Sequence, residues 1–208
     1  MQDSTGTLRA GIRCELISWK QFYTLARQLA LMIRESRFQP ELIVAIGRGG
    51  YMPARIVSDY LDVFDLADIR IEHYRGVHKE HLARVRYPLA ADASAKRVLL
   101  VDDVSDTGDT FDAAIRHLRN RGEPAEFRTA VLHHKAVSRF TPDFYSEVVS
   151  EWRWIIYPWA IMEDLRSFLG EMDSPQVTVE EFARFLREQH GIEAESEILK
   201  DVLRRSII

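Results

Sequence analysis

Two uninterrupted apolar runs punctuate the chain, Leu42-Ile43-Val44-Ala45-Ile46 and Val98-Leu99-Leu100-Val101, and the stretch from Phe127 to Leu132, apolar apart from Arg128 and Thr129, reads as another strand. Runs of this length without alternation read as strands buried on both faces of a parallel sheet. Shorter strands are predicted at Ile69–Tyr74 and Trp154–Tyr157. Between them, apolar residues recur at helical spacing. Leu25, Leu29, Met32 and Ile33 follow a Ser18/Gln21 capping box and stop at Pro40. Ala54, Val57, Tyr60 and Leu61 follow Pro53, a first-turn proline, and Phe111, Ala114, Ile115 and Leu118 run up to Gly122. Strands alternating with helices predict an α/β fold, a mostly parallel sheet flanked by helices.

Residues 1 to 17 read as a weakly structured arm followed by a short apolar segment. The stretch from Arg75 to Ala95 is polar and basic, with Lys79, Arg84 and Arg86, and a connection of that length is either functional or mobile. Near the end, Thr178 with Glu181 forms a capping box before Val179, Phe182, Ala183, Phe185 and Leu186; Gly191 closes this helix. Ile198, Leu199, Val202 and Leu203 mark a second helix. Two such amphipathic helices cannot bury their faces alone, so they must pack on the core, on each other or on a second subunit. An oligomerisation or capping element is expected. The predicted organisation is a main domain over 1–170 and a small C-terminal helical extension over 171–208.

The chemistry collects at the ends of the apolar runs. Val101 leads into Asp102-Asp103-Val104-Ser105-Asp106-Thr107-Gly108-Asp109-Thr110, which opens a helix. In open α/β sheets, ligands bind beyond the carboxyl ends of the strands. Backbone amides and hydroxyls from Ser105 to Thr110 suit a phosphate held at a helix N-terminus. No lysine is present in the loop, so it is not the GxxxxGK[ST] type. Asp102 and Asp103 would repel phosphate; they suit vicinal hydroxyls, or a hard cation such as Mg2+. Phosphate donors beside hydroxyl acceptors suggest a ribose 5-phosphate, with Asp106 placed to accept a proton. A plain Asp/Thr/Gly turn is the bland alternative, disfavoured because an acidic pair at a buried strand end is costly without a purpose.

Gly47-Arg48-Gly49-Gly50 follows the first apolar run, and its amides and guanidinium suit diphosphate oxygens; by itself it is equally a tight turn. Lys135 lies just past a strand end, as a donor to a carbonyl oxygen or as a solvated lysine. His133 and His134 have no partner cluster with metal-ligand spacing and read as structural or surface residues. Trp154 offers a flat face to an aromatic ligand, with core packing as the alternative.

Composition narrows the class. The chain has 208 residues, 46% of them hydrophobic, enough for one α/β domain and a modest appendage. A formal net charge of −4 gives no support to nucleic-acid binding. The single cysteine, Cys14, cannot form an internal disulfide, and no apolar run approaches a membrane span or a signal-peptide core. A cytoplasmic protein with no membrane partner is expected.

The segment Val98–Thr110 resembles the phosphoribosyl-pyrophosphate signature of type I phosphoribosyltransferases: apolar strand, acidic pair, then D-T-G-x-T. Gly47–Ala54 is similar to that family's pyrophosphate loop, and Trp154–Trp159 is similar to the W-I-x-x-P-W of bacterial and archaeal xanthine–guanine and other 6-oxopurine enzymes. The resemblance runs from Leu42 to Trp159 and implies the type I phosphoribosyltransferase fold. It implies Mg2+-dependent transfer of phosphoribosyl from phosphoribosyl pyrophosphate to N9 of guanine, xanthine or hypoxanthine, in purine salvage. Asp102, Asp103 and Asp106 would be catalytic, the first two also organising the metal. Together with Ser105, Thr107, Gly108, Asp109 and Thr110 they would bind the phosphoribose. Gly47, Arg48, Gly49 and Gly50 would bind pyrophosphate, with Arg48 and the amides of Gly49 and Gly50 stabilising it as it leaves. Lys135 would read the 6-oxo group, Trp154 would stack on the purine, and Ile155 would read its edge through the backbone. A homodimer or homotetramer is expected. The alternatives are transfer to another base, or a non-catalytic sensor of phosphoribosyl pyrophosphate or a nucleotide.

Overall fold

The computed structural model describes residues 11–75, 81–172, 174 and 176–204. In chain order its elements are β1 (Cys14–Leu16), α1 (Trp19–Glu35), β2 (Leu42–Gly47), α2 (Tyr51–Leu61), β3 (Leu66–Arg75), β4 (His81–Tyr87) and β5 (Arg97–Ser105). They continue as α3 (Asp109–Arg121), β6 (Glu126–Lys135), β7 (Phe144–Val149), β8 (Trp154–Ile156), α4 (Ile161–Leu169), α5 (Val179–Phe185) and α6 (Ser196–Arg204). The chain divides into two compact units, Tyr23–Trp152, and Met1–Phe22 with Arg153–Ile208.

The Tyr23–Trp152 unit holds a six-stranded sheet of order β4-β3-β2-β5-β6-β7. Every neighbouring pair is parallel except β3 with β4. The predicted two-faced burial is observed. Leu42, Val44, Ile46, Val98 and Leu100 enter one core with Phe111, Ala114 and Leu118 of α3, while Ile43, Ala45, Leu99 and Val101 on the other face are equally buried. Such strands need cover on both sides, which the intervening helices supply.

Part of the long basic connection is a strand. β3 extends to Arg75, and β4 returns antiparallel along it, with a register shift at Arg70/Ile71. Ala83 and Val85 of β4 pack against the core. Arg84 and Arg86 alternate with them on this edge strand, a placement of charge that blunts edge-to-edge pairing. Lys79 lies outside the described residues.

In the other unit, β1 pairs in parallel with β8. Ile156 shares a core with Leu165 and Phe168 of α4, Phe182 of α5, Leu186, Ile192, and Leu199 and Val202 of α6. The two C-terminal helices therefore bury their apolar faces against each other and against α4. Packing divides the chain elsewhere than at residue 170, because β8 and α4 share their core with the C-terminal helices. The α5 capping box is formed: Thr178 Oγ1 accepts from the Glu181 amide at 3.2 Å, and the Thr178 amide donates to Glu181 Oε2 at 2.9 Å. A π-helical turn, Leu186–His190, extends α5 to Gly191, whose φ of 72° closes it.

Candidate active site

Register brings the motifs of the larger unit to one edge. Leu42 to Ala45 of β2 pair with Val98 to Val101 of β5, so the Gly47–Gly50 loop emerges beside Asp102 and Asp103. Ser105 of β5 pairs with His134 of β6, which sets Lys135 beside Asp106.

At the first loop the Gly47–Arg48 peptide is cis and the Arg48 side chain is exposed. The Gly50 amide closes the turn on the Ile46 carbonyl at 2.9 Å, so that donor is engaged by the fold. The two glycines that follow Arg48 are crowded, Gly50 by backbone and Gly49 by a side chain. A Cβ on Gly49 would fall on the Asp103 carboxylate, and one on Gly50 would fall on the Val101 carbonyl. Tyr51, which follows, donates to Asp68 Oδ2 at 3.0 Å from below Gly47.

Asp102 is 8% exposed. Burial and the adjacent Asp103 charge push its carboxyl well above the usual range, against hydrogen bonds from the Asp103 and Gly50 amides. The Asp103 amide donates to Asp102 Oδ1 at 2.9 Å. Two adjacent carboxylates, one desolvated, form an oxygen donor set that a hard divalent cation fits.

The loop from Ser105 to Thr110 is braced by residues 138–140. The Ser105 hydroxyl, buried, lies 2.9 Å from Ser138 Oγ and donates to the Phe140 carbonyl at 3.1 Å. This hydroxyl thus fixes the loop. Gly108, at φ 96°, caps α3 in a conformation favourable to glycine, with Phe140 packed where a side chain would go. Thr107 Oγ1 donates to Asp109 Oδ2 at 2.8 Å, and Arg139 pairs with both Asp109 and Asp112. Arg139 offsets negative charge at a helix start otherwise suited to an anion. Thr110 lies in the first turn of α3.

Lys135 is buried, 2% exposed, and its Nζ lies 2.9 Å from Asp106 Oδ2. Trp152 completes this group. Its Nε1 donates to Asp106 Oδ1 at 3.2 Å, and Lys135 Nζ stands 4.5 Å from its ring centroid. His133 and His134 are buried on the same strand. His133 lies 3.9 Å from Glu147 and His134 against the Tyr145 ring. No cluster of three metal-ligating side chains occurs among the described residues.

Trp154 and Ile155 belong to β8 of the other unit. Trp154 is 39% exposed and its indole N–H donates to Asp164 Oδ1 at 3.1 Å; Ile155 is buried. Trp159 is a packing residue, stacked on Tyr157 and edge-on to Phe22.

Sequence reasoning missed Trp152, Ser138, Arg139 and Asp164. Trp152 was visible as the first tryptophan of Trp152-Arg153-Trp154, whereas the 138–140 brace is a tertiary contact with no local signal.

The family model for the phosphoribosyl transferase domain matches residues 15–163. Among curated proteins, the xanthine-guanine phosphoribosyltransferase of Desulfotalea psychrophila is 32% identical over 143 residues, 69% of this chain and 84% of that protein. The protein of the same name from Idiomarina loihiensis is 28% identical over the same shares. Among solved structures, a purine phosphoribosyltransferase from Pyrococcus horikoshii superposes with a TM-score of 0.62 at 32% identity, covering 71% of this chain and 94% of that one.

Proposed function

Because the chain belongs to the phosphoribosyltransferase family, we propose that it transfers phosphoribosyl from phosphoribosyl pyrophosphate to N9 of a 6-oxopurine, in purine salvage. The C1′–N9 bond forms, the C1′–pyrophosphate bond breaks, and the N9 proton leaves the base. The observation that carries this reading is the meeting, on one sheet edge, of the Arg48 loop, the acidic pair and the Asp106–Thr110 loop at the ends of β2 and β5. The relatives named for xanthine and guanine, and the archaeal purine enzyme, support the choice of base.

In this reading the amides of the Asp106–Thr110 loop and the N-terminus of α3 bind the 5-phosphate. Asp102 and Asp103 accept hydrogen bonds from the ribose hydroxyls. Mg2+ held by these two carboxylates would supply neutralising charge to the pyrophosphate oxygens. Arg48 and the Gly49 amide hold the leaving group from the other side, where charge develops. Asp106 takes the N9 proton and Lys135 donates to the exocyclic oxygen. Trp154 is assigned to stacking and Ile155 to backbone recognition of the base edge.

Competition among bases tests the acceptor. Incorporation of labelled guanine should be suppressed by excess xanthine or hypoxanthine and unaffected by adenine or uracil. Suppression by uracil alone would move the acceptor to the pyrimidines.

A further inference from the structure

Lys135, Asp106 and Trp152 meet in one group of side chains. Both Asp106 oxygens have donors: Lys135 Nζ at 2.9 Å on Oδ2 and Trp152 Nε1 at 3.2 Å on Oδ1. The ammonium also faces the indole, 4.5 Å from its centroid. Lys135 is 2% exposed while Trp152 is 44% exposed, so the ring forms the solvent side of a buried cation. A carbonyl oxygen must come within about 3 Å of Nζ to accept a hydrogen bond from it. It cannot do so on that side while the indole is there.

An indole has much in common with the base that the proposed function brings here. It is a fused six-five aromatic ring whose five-membered portion carries one N–H, and that N–H already donates to Asp106. A 6-oxopurine offers the same flat bicycle and a five-membered-ring N–H, and adds an exocyclic oxygen for the ammonium. Indole can satisfy Lys135 only through its π face, a weaker partner for a cation than an in-plane carbonyl.

We propose that Trp152 is an internal stand-in for the purine. It occupies the Asp106 acceptor and covers Lys135 when no base is bound, and a 6-oxopurine displaces it by offering the same N–H plus a carbonyl. This inference rests on the 6-oxopurine reading. It makes Trp152 a positioning residue with two effects. It keeps a buried ammonium and its carboxylate partner in place without ligand, and it selects against bases that offer no oxygen to Lys135. An adenine, with an amino group at that position, would have to displace the indole without satisfying the ammonium.

The test is the affinity of the intact chain for guanosine 5′-monophosphate and for phosphoribosyl pyrophosphate, measured by calorimetry on wild type, Trp152→Leu and Trp152→Phe. Loss of an internal competitor tightens binding, whereas loss of a structural residue weakens it. The nucleotide, whose N9 carries the ribose and so offers Asp106 no N–H, displaces the indole with its ring and 6-oxygen alone. It should bind Trp152→Leu about threefold to tenfold more tightly, the range spanned by the cation–π contact and the hydrogen bond that the indole must give up. Phosphoribosyl pyrophosphate, which has no base, should bind all three alike. Trp152→Phe keeps a ring and loses the N–H, so it should fall between the other two and carries the test if the leucine variant does not fold. In wild type, nucleotide addition should shift tryptophan emission to the red, and the shift should be absent in Trp152→Phe. Equal or weaker nucleotide binding by folded variants overturns the inference and leaves the purine reading standing. A wild-type chain that binds phosphoribosyl pyrophosphate but no purine nucleotide overturns both.

Discussion

The Nζ of Lys135 lies 2.9 Å from Oδ2 of Asp106, with the lysine almost wholly buried and the carboxylate side chain 34% exposed. The asymmetry makes the two partners unequal. Removing the carboxylate leaves an ammonium enclosed without its counter-charge, whereas removing the ammonium leaves a carboxylate that water can reach.

Asp106→Asn should therefore destabilise the chain more than Lys135→Met, whose side chain fills similar space without charge. The difference should be about 1 kcal/mol or more in urea unfolding. Equal losses would show that the charge of this pair does not matter to the fold.

The same Asp106→Asn variant should lower kcat by about a hundredfold or more, the usual reach of a positioned acid or base. The KM for phosphoribosyl pyrophosphate should stay near that of wild type. Steady-state kinetics at saturating base check this, and undiminished turnover would remove Asp106 from the proton transfer.

The two glycines of the first loop should fail differently. A Cβ on Gly50 meets the backbone of Val101 and Ile46, which cannot move aside, so Gly50→Ala should cost about 1–3 kcal/mol of stability. On Gly49 the obstacle is the Asp103 side chain, which can rotate. Gly49→Ala should fold nearly normally and lose affinity for phosphoribosyl pyrophosphate. Thermal melts beside binding titrations separate the two, and a Gly49→Ala chain with native affinity would place Asp103 outside the ligand site.

Asp164 gives a pH signature in the smaller unit. Burial pushes its carboxyl up to about 6, against the Trp154 indole N–H and aided by the Glu163 charge. A folded-state value above the ordinary 3.8 means that the folded chain binds the extra proton between them. The stability from this group is therefore full below 3.8 and is lost as pH rises through about 6. Asp164→Asn retains an acceptor for the indole and carries no charge. Its melting temperature relative to wild type should climb from pH 4 to pH 7; a difference flat across that range would contradict the assignment.

At the start of α5, Thr178→Ala removes one half of the capping box and should cost about 1 kcal/mol, with Thr178→Ser restoring most of it. A silent alanine variant in chemical unfolding would mean that tertiary contacts alone hold this helix.

How far the sequence could be read depends on how local each signal is. Continuous apolar runs identify β2 and β5 because burial on both faces leaves no polar position to interrupt them, and Ala130-Val131-Leu132 marks the buried half of β6. The capping boxes at Ser18 and Thr178 are equally local and form as expected. β4 and β7 escaped because edge strands mix charge with apolar residues: Arg84 and Arg86 read as loop, and Ser146 and Glu147 interrupt Phe144–Val149. In the site, the strand-end motifs were legible since each is contiguous. What was not legible is how they are held: the Ser105–Phe140 brace and the Trp152 indole on Asp106 join residues 35 and 46 positions apart. Such contacts depend on register, which no single segment encodes.

The central claim is tested most directly by pyrophosphate release from phosphoribosyl pyrophosphate and Mg2+, with guanine, xanthine, hypoxanthine or adenine supplied separately. The account predicts release with one or more of the three 6-oxopurines, little with adenine, and almost none without a base. A chain that binds phosphoribosyl pyrophosphate but releases no pyrophosphate with any of the four would contradict it.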